Sequence, residues 1–126
     1  MVVVEPVKVD VEDRVMKIFL EAIRILGGPK ELILTHHHLT WLPALLEAAY
    51  VIILHEEHHK TKDEIASELG LTKQTVSNIL SSDPEQVMSK IKGELEEDKK
   101  IHVAGGLAKL AYKEVKKREI EGDGSS

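Results

Sequence analysis

Apolar residues recur at helical spacing through most of the chain. Val11, Val15, Ile18, Phe19, Ala22, Ile23 and Leu26 share one stripe and predict a helix from about residue 11 to 26. Asp10 is placed to cap it. Glu12 and Asp13 fall in its first turn, where the positive end of the helix dipole favours acids. Gly27-Gly28-Pro29 stops it. Upstream, residues 7–11 (VKVDV) alternate and read as a short strand or an extended arm. Residues 30–34 are a short apolar run of no evident type, and residues 35–38 (THHH) read as a loop. A second long helix is expected from residue 39 or 40 to about 58, with Pro43 tolerated in its first turn. Leu42, Leu45, Leu46, Ala49, Ile52 and Ile53 mark its buried side.

Two short helices follow, and then Asp83-Pro84-Glu85-Gln86 announces another start: Asp83 as cap, Pro84 in the first helical position, Gln86 completing a capping box. Val87, Ile91 and Leu95 recur every four residues behind it. The acidic residues 94–98 and Gly105-Gly106 interrupt that pattern. A last amphipathic helix is expected over residues 107–118, with Leu107, Leu110, Ala111 and Val115 on one side. Residues 121–126 read as a flexible tail. The expectation is an all-α chain, with residues 1–120 as a single helical domain.

The most informative stretch is residues 61–80, TKDEIASELGLTKQTVSNIL. Thr61 and Glu64 form a capping-box pattern. Ile65 and Leu69 point to a core, and Ala66 is small enough for two helices to cross closely. Gly70 supplies the left-handed conformation that ends a helix at least cost. Leu71 plugs the turn, Thr72 caps the next helix, and Val76, Ile79 and Leu80 anchor it. Helix, tight glycine turn, helix is the order of a helix-turn-helix. With the preceding helix it makes a tri-helical core with N-terminal and C-terminal helical extensions. No wing is expected, because a capped helix and not a hairpin follows Leu80.

In such a unit the second helix lies in the major groove with its first turns at the base edges. Thr72, Lys73, Gln74, Thr75, Ser77 and Asn78 are therefore the candidate DNA-binding residues. Gln74 and Asn78 can each offer a donor–acceptor pair to adenine, and Lys73 can reach guanine or a phosphate. Thr72 and Ser77 suit phosphates, which fix register.

Charge complicates this picture. The formal net charge is -5, and residues 60–82 hold three lysines and three acids. Residues 99–118, in contrast, hold seven basic residues and one acid. Lys109, Lys113, Lys116 and Lys117 are thus candidate phosphate contacts, since binding follows the local field more than the total. Half-site recognition implies a homodimer, through the first helix or the C-terminal helices.

Six of the seven histidines lie in residues 36–59. His55-Glu56-Glu57-His58-His59 fits H-E-x-x-H, in which two histidines one helical turn apart hold zinc and the glutamate activates water. His55 and His59 would be the ligands, Glu56 the base, and His36, His37 or His38 a third ligand. The pattern falls at the end of the expected helix, two residues before the next one starts, which leaves little room for a substrate cleft. The enzyme reading is accordingly set aside, and a metal-binding or metal-responsive protein is retained as an alternative. No glycine-rich phosphate loop is present, so no cofactor is expected. There is no cysteine, no apolar stretch long enough to span a bilayer and no signal-peptide pattern at the start, which together predict a cytoplasmic protein. Asn and Gln occur only at positions 74, 78 and 86 while 31% of residues are charged, a bias found in thermophiles.

Residues 39–50 (LTWLPALLEAAY), the stretch 61–80 and residues 100–109 (KIHVAGGLAK) together resemble a group of small archaeal proteins encoded near KaiC-like ATPases and described as probable regulatory domains. The resemblance spans most of residues 10–115. It implies a regulatory role, with a KaiC-like ATPase as a possible partner, and no catalytic residues. Two functions follow as expectations: a sequence-specific DNA-binding transcription regulator, or a protein–protein adaptor of such an ATPase that leaves DNA unbound.

Overall fold

The computed structural model describes residues 6–34, 42–85 and 97–125. Among them the chain is all-α, with six helices and no strand: α1 (Pro6–Ile25), α2 (Pro29–Leu34), α3 (Leu42–Glu56), α4 (Lys62–Leu69), α5 (Lys73–Leu80) and α6 (Glu97–Ser125). No described helix is long and apolar enough to cross a membrane. The loop expected at 35–38, the start of the helix expected from 39 and the helix expected after Asp83 lie outside the described residues. Asp83 itself accepts a hydrogen bond from the Glu85 backbone N–H at 2.9 Å.

The core is aliphatic and centred on α3. Leu45, Ala48, Ala49, Val51, Ile52, Ile53 and Leu54 of this helix are all buried, so it is enclosed by α1 and α6 and, toward its C-terminal end, by α4 and α5. That is more than the single stripe expected from sequence, and Leu46, assigned to the buried side, is exposed. Val15, Ile18, Ala22 and Leu26 of the first stripe are buried, as are Leu107, Ala111 and Val115 of the last. Burying an aliphatic side chain of this size stabilises the fold by about 1.5–3 kcal/mol.

Some element expectations need correction. Residues 7–11 are not a strand or arm but the first turns of α1, which begins at Pro6. Proline suits a first helical position, and extending a docked helix adds a hydrogen bond per residue without a new nucleation cost. Asp10 therefore lies inside the helix instead of capping it. Residues 30–34 belong to the short helix α2, whose Leu32 is buried. Gly105-Gly106 does not interrupt anything: α6 runs through both, and both are buried. A Cβ on Gly105 would fall 2.5 Å from Ser82 Oγ and 2.9 Å from the Ile79 carbonyl oxygen. Glycine is what lets α6 touch the backbone of α5. The same helix continues to Ser125 and takes in residues 121–125.

Charged side chains fasten α6 to α1. The Arg14 guanidinium, 14% exposed, donates to both carboxylate oxygens of Glu57 at 2.9 and 3.1 Å and also to Glu119. Tyr112 Oη donates to the same Glu57 at 3.2 Å, and Lys17 reaches Glu119. Arg14 is held more basic than usual, chiefly by its hydrogen bond to Glu119 and then by Glu57. One layer along, the buried Glu21 carboxylate accepts from Arg24 and is paired with Arg118.

Candidate nucleic-acid interface

Residues 61–85 form two short helices whose ends are set by local hydrogen bonds. The Glu64 N–H donates to Thr61 Oγ1 at 3.1 Å, and the Thr61 N–H donates to Glu64 Oε1 at 2.8 Å, a complete capping box at the start of α4. Gly70 ends α4 in the left-handed conformation (φ 72°). The Leu71 N–H donates to the Ala66 carbonyl at 2.9 Å. Thr72 then caps α5: the Thr75 N–H donates to its Oγ1 at 3.0 Å, and its own hydroxyl donates to Thr75 Oγ1 at 2.9 Å. Ile65 and Ala66 of α4 are buried against α3 and α5, and Val76 and Ile79 of α5 against α3 and α6.

That anchoring decides what α5 shows to solvent. Thr72, Lys73 and Gln74 are exposed, and Thr75, Ser77 and Asn78 are half-buried. Gln74 Nε2 donates to Asn78 Oδ1 at 2.9 Å, one helical turn further on. Lys73 Nζ lies 3.5 Å from Asp63 Oδ1 across the turn, an exposed pair that contributes little to stability. The six residues named from the sequence thus lie on α5 and its cap, and two of them, Gln74 and Asn78, are joined to each other by a hydrogen bond. Their i, i+4 spacing was the available signal.

The lysines of α6 divide. Lys109 is not free to meet a phosphate: its ammonium donates to the carbonyls of Leu80 and, at 2.8 Å, Ser82. It satisfies the C-terminal carbonyls of α5, where a cation is favoured, while burial makes it less basic than an ordinary lysine. Lys113 and Lys117 are exposed and Lys116 is half-buried. Together with Tyr112, Ile120 and Glu121 they line a shallow hollow on the outer side of α6.

The histidine pattern comes apart at the end of α3. The helix stops at Glu56, so His55 lies on its last turn and His59 beyond it, in a left-handed conformation (φ 55°). His55 Nδ1 lies 3.4 Å from the Lys60 carbonyl oxygen. The H-E-x-x-H arrangement needs both histidines on one helical face, and this pair does not meet that condition. Among the described residues no group of three His, Asp or Glu side chains is placed to hold a metal ion; His36, His37 and His38 lie outside them. Comparison with protein-family models, with curated proteins and with solved structures returned no match.

Proposed function

We propose that this protein is a sequence-specific DNA-binding regulator in which residues 61–80 act as a helix-turn-helix and α5 enters the major groove. One observation carries the reading. Two capped helices meet at a left-handed glycine, and the second buries Val76 and Ile79 while turning Thr72, Lys73 and Gln74 outward. A helix held from behind in this way can be read from its first turns. Lys113, Lys116 and Lys117, which line the hollow on α6, would supply cations for a phosphate backbone; Lys109 instead stiffens the far end of α5. Half-site reading calls for two copies. Met16 and Leu20, 47% and 58% exposed and one turn apart on α1, offer the apolar surface that a second copy would cover.

The test is fluorescence anisotropy of the full chain on labelled duplexes from around its own gene, at low and physiological salt. The expected outcome is tight binding to one fragment that weakens steeply with salt, with two chains per duplex by sedimentation. One chain per duplex would remove the dimer. No binding at low salt would sink the DNA reading.

The neutral charge of residues 60–82 and the tie between Lys73 and Asp63 favour a second reading, in which the same surface meets protein. An adaptor of a KaiC-like ATPase would leave DNA unbound and co-purify with that ATPase.

A further inference from the structure

Gln74 and Asn78 are the two side-chain amides on α5, each with an NH2 donor beside a carbonyl acceptor, and treated singly they are two adenine readers. Their geometry says otherwise. Gln74 Nε2 donates to Asn78 Oδ1 at 2.9 Å, so one Gln74 amide hydrogen is paired with one of the two lone pairs on the Asn78 carbonyl oxygen. What remains on Gln74 is one N–H beside Oε1, a donor next to an acceptor. That is the edge complementary to adenine, whose N7 accepts and whose N6 amino group donates. Asn78 keeps its NH2 group, but its carbonyl oxygen already accepts from Gln74 and has only its second lone pair left, so its amide is turned toward Gln74 and is less open to bidentate recognition.

Exposure separates the two in the same sense. Gln74 is exposed near the start of α5, where base edges are met, and Asn78 is half-buried one turn behind it. The backbone under Asn78 is held as well: its carbonyl accepts from Ser82 Oγ at 2.8 Å and from Ser81 Oγ at 3.3 Å. A long amide side chain in water samples many rotamers, and fixing it before binding removes part of the entropy cost of the contact. We infer that Gln74 is the single bidentate adenine reader of α5 and that Asn78 is a positioning residue holding its amide in the reading orientation. The inference rests on the DNA-binding reading above.

It is tested by selecting binding sites for the full chain from a random duplex pool and measuring affinity for the selected duplex and its base substitutions. Wild type is expected to prefer adenine at one position per half-site by about tenfold or more, and 7-deaza-adenine there, which lacks N7, should cost a comparable factor. Gln74→Ala should erase the preference at that position only. Asn78→Ala should weaken it, and Asn78→Asp, which keeps an acceptor oxygen, should restore the base preference even where total affinity falls. Two adjacent adenine preferences, each lost with one variant, would show two independent readers and overturn the inference. So would an Asn78→Ala protein with unchanged discrimination, or a Gln74→Ala protein that still selects the same site. Failure of the wild type to retain any duplex at low salt is a different outcome: it removes the DNA reading itself and this inference with it.

Discussion

His59 closes α3 in a position that glycine usually fills. The Lys60 N–H donates to the Leu54 carbonyl at 3.1 Å, a seven-residue closure with the intervening His59 at φ 55°. A left-handed backbone crowds Cβ against the following carbonyl at a cost of about 1–2 kcal/mol for a residue other than glycine. His59→Gly removes that strain, though glycine also gives the unfolded chain more freedom and returns part of the gain. The expected net is a stabilisation of about 0.5 kcal/mol, read as a higher urea midpoint at unchanged m-value. A lower midpoint would mean that the exposed imidazole makes a stabilising contact outweighing the strain. The substitution also bears on the histidine cluster, because zinc uptake that survives it cannot depend on His59.

At the level of the element, the contact between α5 and α6 turns on one missing methyl group. Alanine is the better helix former by about 1 kcal/mol, so Gly105→Ala would stabilise α6 if it stood alone. Here the new Cβ would meet Ser82 Oγ at 2.5 Å and the Ile79 carbonyl at 2.9 Å, and the second of these is backbone that cannot swing away. Overpacking of this kind costs about 1–3 kcal/mol, so a net destabilisation of about 1–2 kcal/mol is expected in thermal unfolding, along with displacement of α5. A stabilised Gly105→Ala protein would mean that α6 does not approach α5 this closely. The same glycine shows what was legible in the sequence and what was not. The caps at Thr61, Gly70 and Thr72 could be read because each is decided by side chains within three or four residues. The continuity of α6 through Gly105-Gly106 could not, because the residue that makes glycine an advantage there is Ile79, on another helix. Residues 7–11 misled for a related reason: their two-residue alternation is genuine, but a helix already docked through Val15 and Ile18 extends over them. The second role of Asn78 needed only the i, i+4 spacing, yet side-chain hydrogen bonds at that spacing compete with solvent, and sequence alone does not say which wins.

Across the whole molecule, ionisable groups hold α6 against α1 and the end of α3, and they set the pH range of the fold. Burial would push the Glu21 carboxyl up, but the hydrogen bonds from Arg24 and Arg118 outweigh it and hold it below the usual 4.5. Glu119 is likewise held below 4.5, first by Arg14 and then by Lys17. A carboxylate more acidic in the folded state than in the unfolded contributes stability that is fully present above 4.5 and lost as pH falls through its folded value. On the alkaline side Tyr112 is pushed up to about 12, by burial first and the charge of Glu57 next. Between 10.0 and about 12 the unfolded chain ionises this phenol while the folded one does not, so stability falls over that interval. The expected profile of urea midpoint against pH is a plateau with an acid limb beginning near 4.5 and an alkaline limb beginning near 10. Glu119→Gln should lower the plateau and make the acid limb shallower, because the variant has no proton to take up there. Tyr112→Phe should flatten the alkaline limb and leave the acid one as it is. An acid limb equally steep in wild type and Glu119→Gln would show that the link from Arg14 to Glu119 does not hold α6 in solution.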